Sequence, residues 1–261
     1  MGLAHTMKGV ADSLWLSVAL GLESVLHDVP PEITDARLDW WAKRLLRGAE
    51  IELVVRGAEN AGDGSEALLV VSNHQSLYDI PVLVAVVPGR LRMVAKAVLF
   101  RIPLWGRAMN AAGTIRVDRH DLREAARNLQ QRGTALLAKG TRVWLAPEGT
   151  RSRTGVVGPF KHGGFRLAIE SGVRILPIAI DGKRNVLAPD GYSVRCKQRV
   201  TVTLLSPIDP KGYTVSEASA LAAEVRARIV EALGQSEEAR PELPRTSVNG
   251  SQGSAHRQDS L

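Results

Sequence analysis

Cysteine is almost missing from this chain: Cys196 is the single thiol in 261 residues. That excludes an internal disulfide framework and any thiolate-rich metal site. Aromatic side chains make up only 4% of the residues. They do not interleave with basic ones into the stacking platform on which single-stranded nucleic acid lies. There is no Gly-x-Ser-x-Gly elbow, which counts against an α/β-hydrolase, and no Walker loop. His5, His27, His120 and His256 lack the spacing of metal ligands, so no metal is expected. No internal repeat is present. The N-terminal apolar run has neither a basic leader nor a small-residue cleavage site, and so does not read as a signal peptide.

What is present is a globular composition, 44% hydrophobic, with 34 Lys and Arg against 27 Asp and Glu and a net charge of +7. The length suits one α/β domain with modest extensions. The positive excess suits an anionic membrane surface or a phosphorylated substrate. Nucleic acid is the weaker reading, since the aromatics it would stack on are scarce.

Residues 10–26 read as a helix with a wide apolar face (Val10, Leu14, Trp15, Val18, Leu22, Leu26) and a thin polar stripe of Ser13, Ser17 and Ser24. Asp12 and Glu23 bracket an apolar run shorter than the roughly 20 residues of a membrane span. Pro30-Pro31 stops this helix, and Thr34 or Asp35 can cap a second one that carries Leu38, Trp41, Ala42, Leu45 and Ala49 at helical spacing. Trp15, Trp40 and Trp41 beside Lys43, Arg44 and Arg47 make residues 1–48 a candidate membrane-docking helix pair lying in a bilayer interface. The alternative is a pair that simply packs on the domain. From residue 51 onward strands alternate with helices. Strands are expected at 51–55, 68–71, 91–95, 114–118, 143–146, 175–180 and 200–205, and helices at 80–87, 122–138, 165–170 and 217–233. Gly62-Asp63-Gly64-Ser65 precedes a strand and is a turn, not a dinucleotide loop. This alternation predicts an α/β domain over 49–235 with a mostly parallel sheet covered by helices. Pro177 within an apolar run suggests a strand bend or edge. Residues 236–261 carry almost no large apolar side chains and read as a disordered tail.

Four strings carry the chemistry: Asn73-His74-Gln75-Ser76-Leu77-Tyr78-Asp79, Gly113-Thr114-Ile115-Arg116-Val117-Asp118-Arg119, Pro147-Glu148-Gly149-Thr150-Arg151-Ser152 and Ile175-Leu176-Pro177-Ile178. His74 falls in a turn after a strand and Asp79 where the next helix starts, so the carboxylate can fold back onto the imidazole. It would fix the tautomer and leave the other ring nitrogen to accept a hydroxyl proton. The inert alternative is a turn histidine bonded to a helix-capping aspartate. Lys96 and Arg119 close strands, and Arg151 follows Gly149 in a strand-to-loop turn. Ligands of parallel sheets collect at the carboxyl ends of the strands, where these cations and His74 would meet. Arginine forks suit phosphate oxygens. Glu148 could bond a substrate hydroxyl or orient Arg151, and Gly149 admits a backbone conformation that other residues resist.

Taken together, with Val94-Ala95-Lys96 and Ile102-Pro103-Leu104-Trp105-Gly106 between the first two strings, the set resembles the glycerolipid acyltransferases, in particular bacterial 1-acyl-sn-glycerol-3-phosphate acyltransferases, over roughly residues 50–210. The resemblance implies that His74 is the base and Asp79 its partner. It implies that Arg119, Arg151 and Lys96 contact an acceptor phosphate, with Glu148 on the glycerol portion and Gly149 and Thr150 in the same binding loop. The N-terminal helix pair resembles the family's membrane-docking element. Ala146, Arg116, Ala97 and Val98 depart from the family pattern at positions that bear on acceptor recognition.

The function so implied is transfer of an acyl chain from acyl-CoA or acyl carrier protein to a lysophospholipid, most simply 1-acylglycerol 3-phosphate, with no metal or prosthetic group. The site would work at the cytoplasmic face of a membrane, peripheral or monotopic, against an anionic leaflet. Three rivals stay open: the same chemistry on another lysolipid, such as a lyso-aminolipid; a non-catalytic lipid-binding protein; and a thioester hydrolase.

Overall fold

The computed structural model describes residues 2–118, 120–188, 191 and 193–236. The expected tail lies outside the described residues except for Ser236. Fifteen main elements run in the order α1 (Gly2–Leu26), α2 (Pro31–Gly48), β1 (Glu52–Arg56), β2 (Leu69–Ser72), α3 (Asp79–Val86), β3 (Leu91–Lys96), α4 (Trp105–Ala111), β4 (Ile115–Val117), α5 (Leu122–Leu137), β5 (Arg142–Leu145), α6 (Gly163–Ser171), β6 (Ile175–Asp181), α7 (Lys183–Val186), β7 (Arg199–Leu204) and α8 (Ala218–Ala232). Every expected strand is present, within a residue or two at each end. The single-turn α7 and the short α4 with the 3₁₀ segment Ala97–Arg101 before it went unpredicted. They are too short to show a period.

The seven strands form one sheet in the order β1-β7-β6-β2-β5-β3-β4. β6, β2, β5, β3 and β4 are mutually parallel, and β7 with its parallel neighbour β1 runs opposite to them. β2 lies at the centre, in register Val70↔Trp144 with β5 and Val71↔Pro177 with β6. All four of its residues are buried, as a strand covered on both faces requires. The period of two divides the core. Leu69, Val71, Val143 and Leu145 pack with α5, α6 and α8, while Val70, Trp144 and Leu176 pack with α2 and α3. The result is a three-layer α/β domain.

Pro177 corrects an expectation, because β6 is an interior strand. Its missing donor does no harm there: the Pro177 carbonyl accepts from the Leu205 N–H at 2.9 Å, and pairing with β7 begins only at Ile178↔Leu204. The ring therefore sits where the ladder to one neighbour ends.

The N-terminal pair differs from expectation in three ways. α1 starts at Gly2 instead of residue 10, and Ala4–Leu26 is long and apolar enough, by length and composition, to cross a membrane. α2 begins at Pro31, with Pro30 in the capping position, so neither Thr34 nor Asp35 caps it. Proline suits the first helical turn because its absent N–H would have been unpaired anyway. Finally, the inner face of α1 is partly polar. Asp12 is buried and pairs with Arg44 at 2.8 Å, and Ser13 Oγ accepts from Trp41 Nε1 at 2.9 Å. Val10, Leu14, Trp15, Leu22 and Leu26 face outward instead.

Candidate active site

β2 leaves the sheet at Ser72, and the next turn is stitched to both neighbouring strands before His74 is reached. Trp144 Nε1 on β5 donates to Ser72 Oγ at 3.0 Å. The Asn73 amide donates to the Ile180 carbonyl at 3.0 Å and accepts from the Ile180 N–H at 2.9 Å. The chain then turns through residues 74–78 and enters α3 at Asp79.

Asp79 is fully buried. Its Oδ2 lies 2.6 Å from His74 Nδ1 and accepts from the Gln75 and Ser76 N–H groups at 3.0 and 3.3 Å. An ionised carboxylate only accepts, so Nδ1 carries the hydrogen, and in the neutral ring Nε2 is then the nitrogen with the lone pair. The ring retains some exposure, and the edge of Trp144 meets it with centroids 6.0 Å apart at 80°. The Lys183 ammonium lies 3.3 Å from Asp79 Oδ1 and donates to the Asn73 carbonyl at 2.8 Å, and its side chain is fully buried. Burial works to raise the Asp79 pKa, but Lys183, the bond and charge of His74 and the Gln75 N–H outweigh it and hold the carboxyl below its ordinary range. Burial lowers the Lys183 pKa in turn, against the pull of Asp79, Glu148 and Asp181.

Glu148 has a part in the fold of the site beside the glycerol contact that the resemblance implied. Its Oε1 accepts from the His74 N–H at 2.8 Å and its Oε2 from the Gly158 N–H at 3.0 Å. Both oxygens are thus engaged with backbone, and Arg151 has no part in it. Burial raises the Glu148 pKa against those two bonds. A further bond, from the Ser152 N–H to the His74 carbonyl at 2.8 Å, ties the loop after β5 to the histidine turn. Gly149 has φ +73°, a conformation that other residues resist, while the Lys161 ammonium 3.0 Å from an added Cβ is the free end of an exposed side chain that could move aside. Thr150 is exposed and Arg151 half-buried, and Lys96 stands exposed at the end of β3. Arg119 lies outside the described residues. Among the described residues no cluster of His, Cys, Asp or Glu could hold a metal ion.

All of these groups follow the carboxyl ends of parallel strands: His74 after β2, Lys96 on β3, the 148–151 loop after β5, Lys183 after β6. This arrangement has counterparts. An acyltransferase family model matches residues 52–181, from the first residue of β1 to the last of β6. A human 1-acyl-sn-glycerol-3-phosphate acyltransferase alpha is 36% identical over 186 residues, covering 70% of this chain and 63% of its own. A Saccharomyces cerevisiae 1-acyl-sn-glycerol-3-phosphate acyltransferase is 31% identical over 201 residues, 76% of this chain and 64% of its own. The crystal structure of the 1-acyl-sn-glycerophosphate (LPA) acyltransferase from Thermotoga maritima superposes with a TM-score of 0.72 at 26% identity, covering 89% of this chain and 96% of that one. Over residues 52–181 the chain carries a domain that matches the acyltransferase family. The chain spans 63% of the length of the human relative and 64% of the yeast one.

Two neighbours of the histidine escaped sequence reasoning. Trp144 read only as strand. Lys183 lies in no motif, and the family match ends two residues before it. Its one signal was position, since Gly182-Lys183 follows the last parallel strand on the edge where the other polar groups gather.

Proposed function

We propose that this acyltransferase moves a fatty acyl group from a thioester, acyl-CoA or acyl carrier protein, to the free hydroxyl of 1-acylglycerol 3-phosphate, giving phosphatidic acid. The observation that carries the reading is the 2.6 Å bond between His74 Nδ1 and the buried Asp79, which leaves Nε2 as an acceptor at the carboxyl edge of the sheet. His74 Nε2 takes the hydroxyl proton as the oxygen attacks the thioester carbonyl. The tetrahedral intermediate expels the thiolate, and the imidazolium returns the proton to it, yielding ester and free thiol. General-base assistance of this kind is worth ~10²–10⁴ in rate. Asp79 orients the ring and stabilises the transient imidazolium.

Arg151, Lys96 and Arg119 hold the acceptor phosphate in this scheme, so that the hydroxyl meets the base instead of searching for it. Support for Arg151 is its place three residues after Glu148, in the loop bonded to the His74 turn, with no carboxylate paired to it among the described residues. Arg116, exposed on β4 in register with Ala95 of β3, departs from the family pattern and keeps a second lysolipid, such as a lyso-aminolipid, as the alternative acceptor.

The outward apolar face of α1 supports docking on the cytoplasmic leaflet. Gly21 of α1 approaches so closely that an added Cβ would stand 2.7 Å from the Leu104 carbonyl oxygen. Val98 and Ile102 are exposed in the segment that joins Lys96 to Leu104. An apolar strip running from the helix to the edge of the site would let a lysolipid pass from bilayer to base without crossing water.

The deciding experiment incubates purified protein with a panel of lysolipids and labelled acyl-CoA or acyl carrier protein. Phosphatidic acid should form from lysophosphatidate, and His74→Ala should abolish it while liposome binding persists. Turnover of another lysolipid alone would move the assignment to that acceptor. Thiol release without diacyl product would indicate a hydrolase, and liposome binding without any turnover in the wild type a lipid-binding protein.

A further inference from the structure

We propose that Lys183 is a positioning residue for the base: its sealed ammonium holds the Asp79 carboxylate and the Asn73–His74 peptide in the one arrangement that leaves the outer imidazole nitrogen able to take a proton. The inference rests on the general-base reading above and adds to it a group from the far side of β2.

One ion pair and one hydrogen bond define the role. Lys183 Nζ lies 3.3 Å from Asp79 Oδ1, the oxygen that His74 does not use, and it donates to the Asn73 carbonyl at 2.8 Å. The peptide joining Asn73 to His74 is therefore gripped at both ends by charged groups. Its carbonyl meets the Lys183 ammonium, and its N–H meets the Glu148 carboxylate at 2.8 Å. Rotation of that peptide would swing the imidazole, and each bond opposes it. The side chains of Lys183 and Asp79 are fully buried, so neither charge is screened by solvent.

The charged and titratable groups facing the ammonium come from every element around it: Asp79 at the start of α3, His74 in the turn after β2, Glu148 in the loop after β5 and Asp181 on β6. Burial lowers the Lys183 pKa, and the carboxylates of Asp79, Glu148 and Asp181 pull it the other way. Held on Oδ1, the positive charge draws the carboxylate's negative charge away from Oδ2. A positive charge at that position opposes the binding of an additional proton by the Asp79–His74 pair, which favours release of the proton to the departing thiolate. Without the ammonium the pair would retain a proton to higher pH and arrive already spent as a base.

Lys183→Met in the full chain tests this. With lysophosphatidate and acyl-CoA, kcat should drop by about tenfold or more, with little change in KM. The acidic limb of the kcat/KM profile should move up by about one pH unit or more. A ¹⁵N-histidine NMR titration, with His74 assigned by its loss in His74→Ala, should show the same upward displacement, and this readout needs no acyl transfer. Absence of lysophosphatidate turnover in the wild type would reject the proposed acceptor and leave the NMR comparison to decide the role of Lys183. A limb and midpoint that stay in place would overturn it, whatever the loss of rate. Should Lys183→Met fail to fold, Asp79→Asn is compared with Asp79→Asn/Lys183→Met by thermal melting. The double variant should melt higher, because the single one strands a buried ammonium. A double variant melting no higher would show that the two charges are not partners and overturn the proposal.

Discussion

His74 is one of six histidines in the chain, and the bonds around it set it apart. Asp79 takes one ring nitrogen, Glu148 takes its backbone N–H, Ser152 donates to its carbonyl, and Trp144 supports the ring edge. The spacing of His74 and Asp79 was legible because five residues span a turn into a helix, a local relation. Glu148 was legible as a site residue but not in its bonds to backbone, because its two partners lie 74 and 10 positions away in sequence. Lys183, more than a hundred residues from Asp79, left no local mark at all. A direct test separates the two readings of Glu148. Glu148→Ala leaves two N–H groups without their acceptor, each costing about 1–3 kcal/mol where buried. The expected kinetic result is a fall in kcat with the acceptor KM nearly unchanged, since the base turn is loosened; a rise confined to KM would favour the glycerol contact.

Among the elements, α1 repays the closest reading. Its hydrophobic period was plain, and the tryptophans and basic residues of the helix pair favoured a bilayer-facing side over one packed on the domain. The structure turns the apolar side outward because the opposite side is already spent on α2 and α4: Asp12 on Arg44, Ser13 on Trp41, Gly21 on the Leu104 backbone. Trp15 and Trp40 meet on the outer side with centroids 4.7 Å apart, and the Arg44 guanidinium lies 5.0 Å from the Trp40 ring centre. A basic aromatic cluster of this kind suits the headgroup layer. Replacing both Trp15 and Leu22 by Glu should shift the protein from liposomes containing anionic lipid to the supernatant, while its circular dichroism and melting stay as in the wild type. Unchanged co-sedimentation would make the outward face incidental to docking. Substitution of Leu20, buried within the same helix, should instead lower stability, by about 2–5 kcal/mol for Leu20→Ala.

At the scale of the whole molecule, buried charge couples the site to the fold, and its pH dependence has a definite sign. The Asp79 pKa is lowered on folding, so its contribution is complete above the unfolded value of about 3.9 and drains away as pH falls through the lower folded value. Glu148 acts oppositely: its pKa is raised, so its contribution is present below the unfolded value of about 4.3 and lost as pH rises through the higher folded one. Melting curves across pH should show Asp79→Asn well below the wild type at neutral pH, by about 3–5 kcal/mol for a broken buried pair. The gap should begin to narrow as pH falls below about 3.9 and close only once pH has fallen through the lowered folded value, where the wild-type carboxylate is itself protonated. A gap independent of pH would mean that the carboxylate charge is not what the fold uses. The same chain of interactions explains what each level of description could reach. Period and turn chemistry determined the strands, the long helices, the alternation that makes a parallel sheet, and the strings that carry the family resemblance, because each depends on residues within a few positions of one another. Only the tertiary structure decided which way α1 faces, where Pro177 sits, that Glu148 binds backbone, and that Lys183 stands behind Asp79. Those outcomes depend on which distant strands become neighbours in the order β1-β7-β6-β2-β5-β3-β4. A buried charge takes whatever partner that order brings within reach.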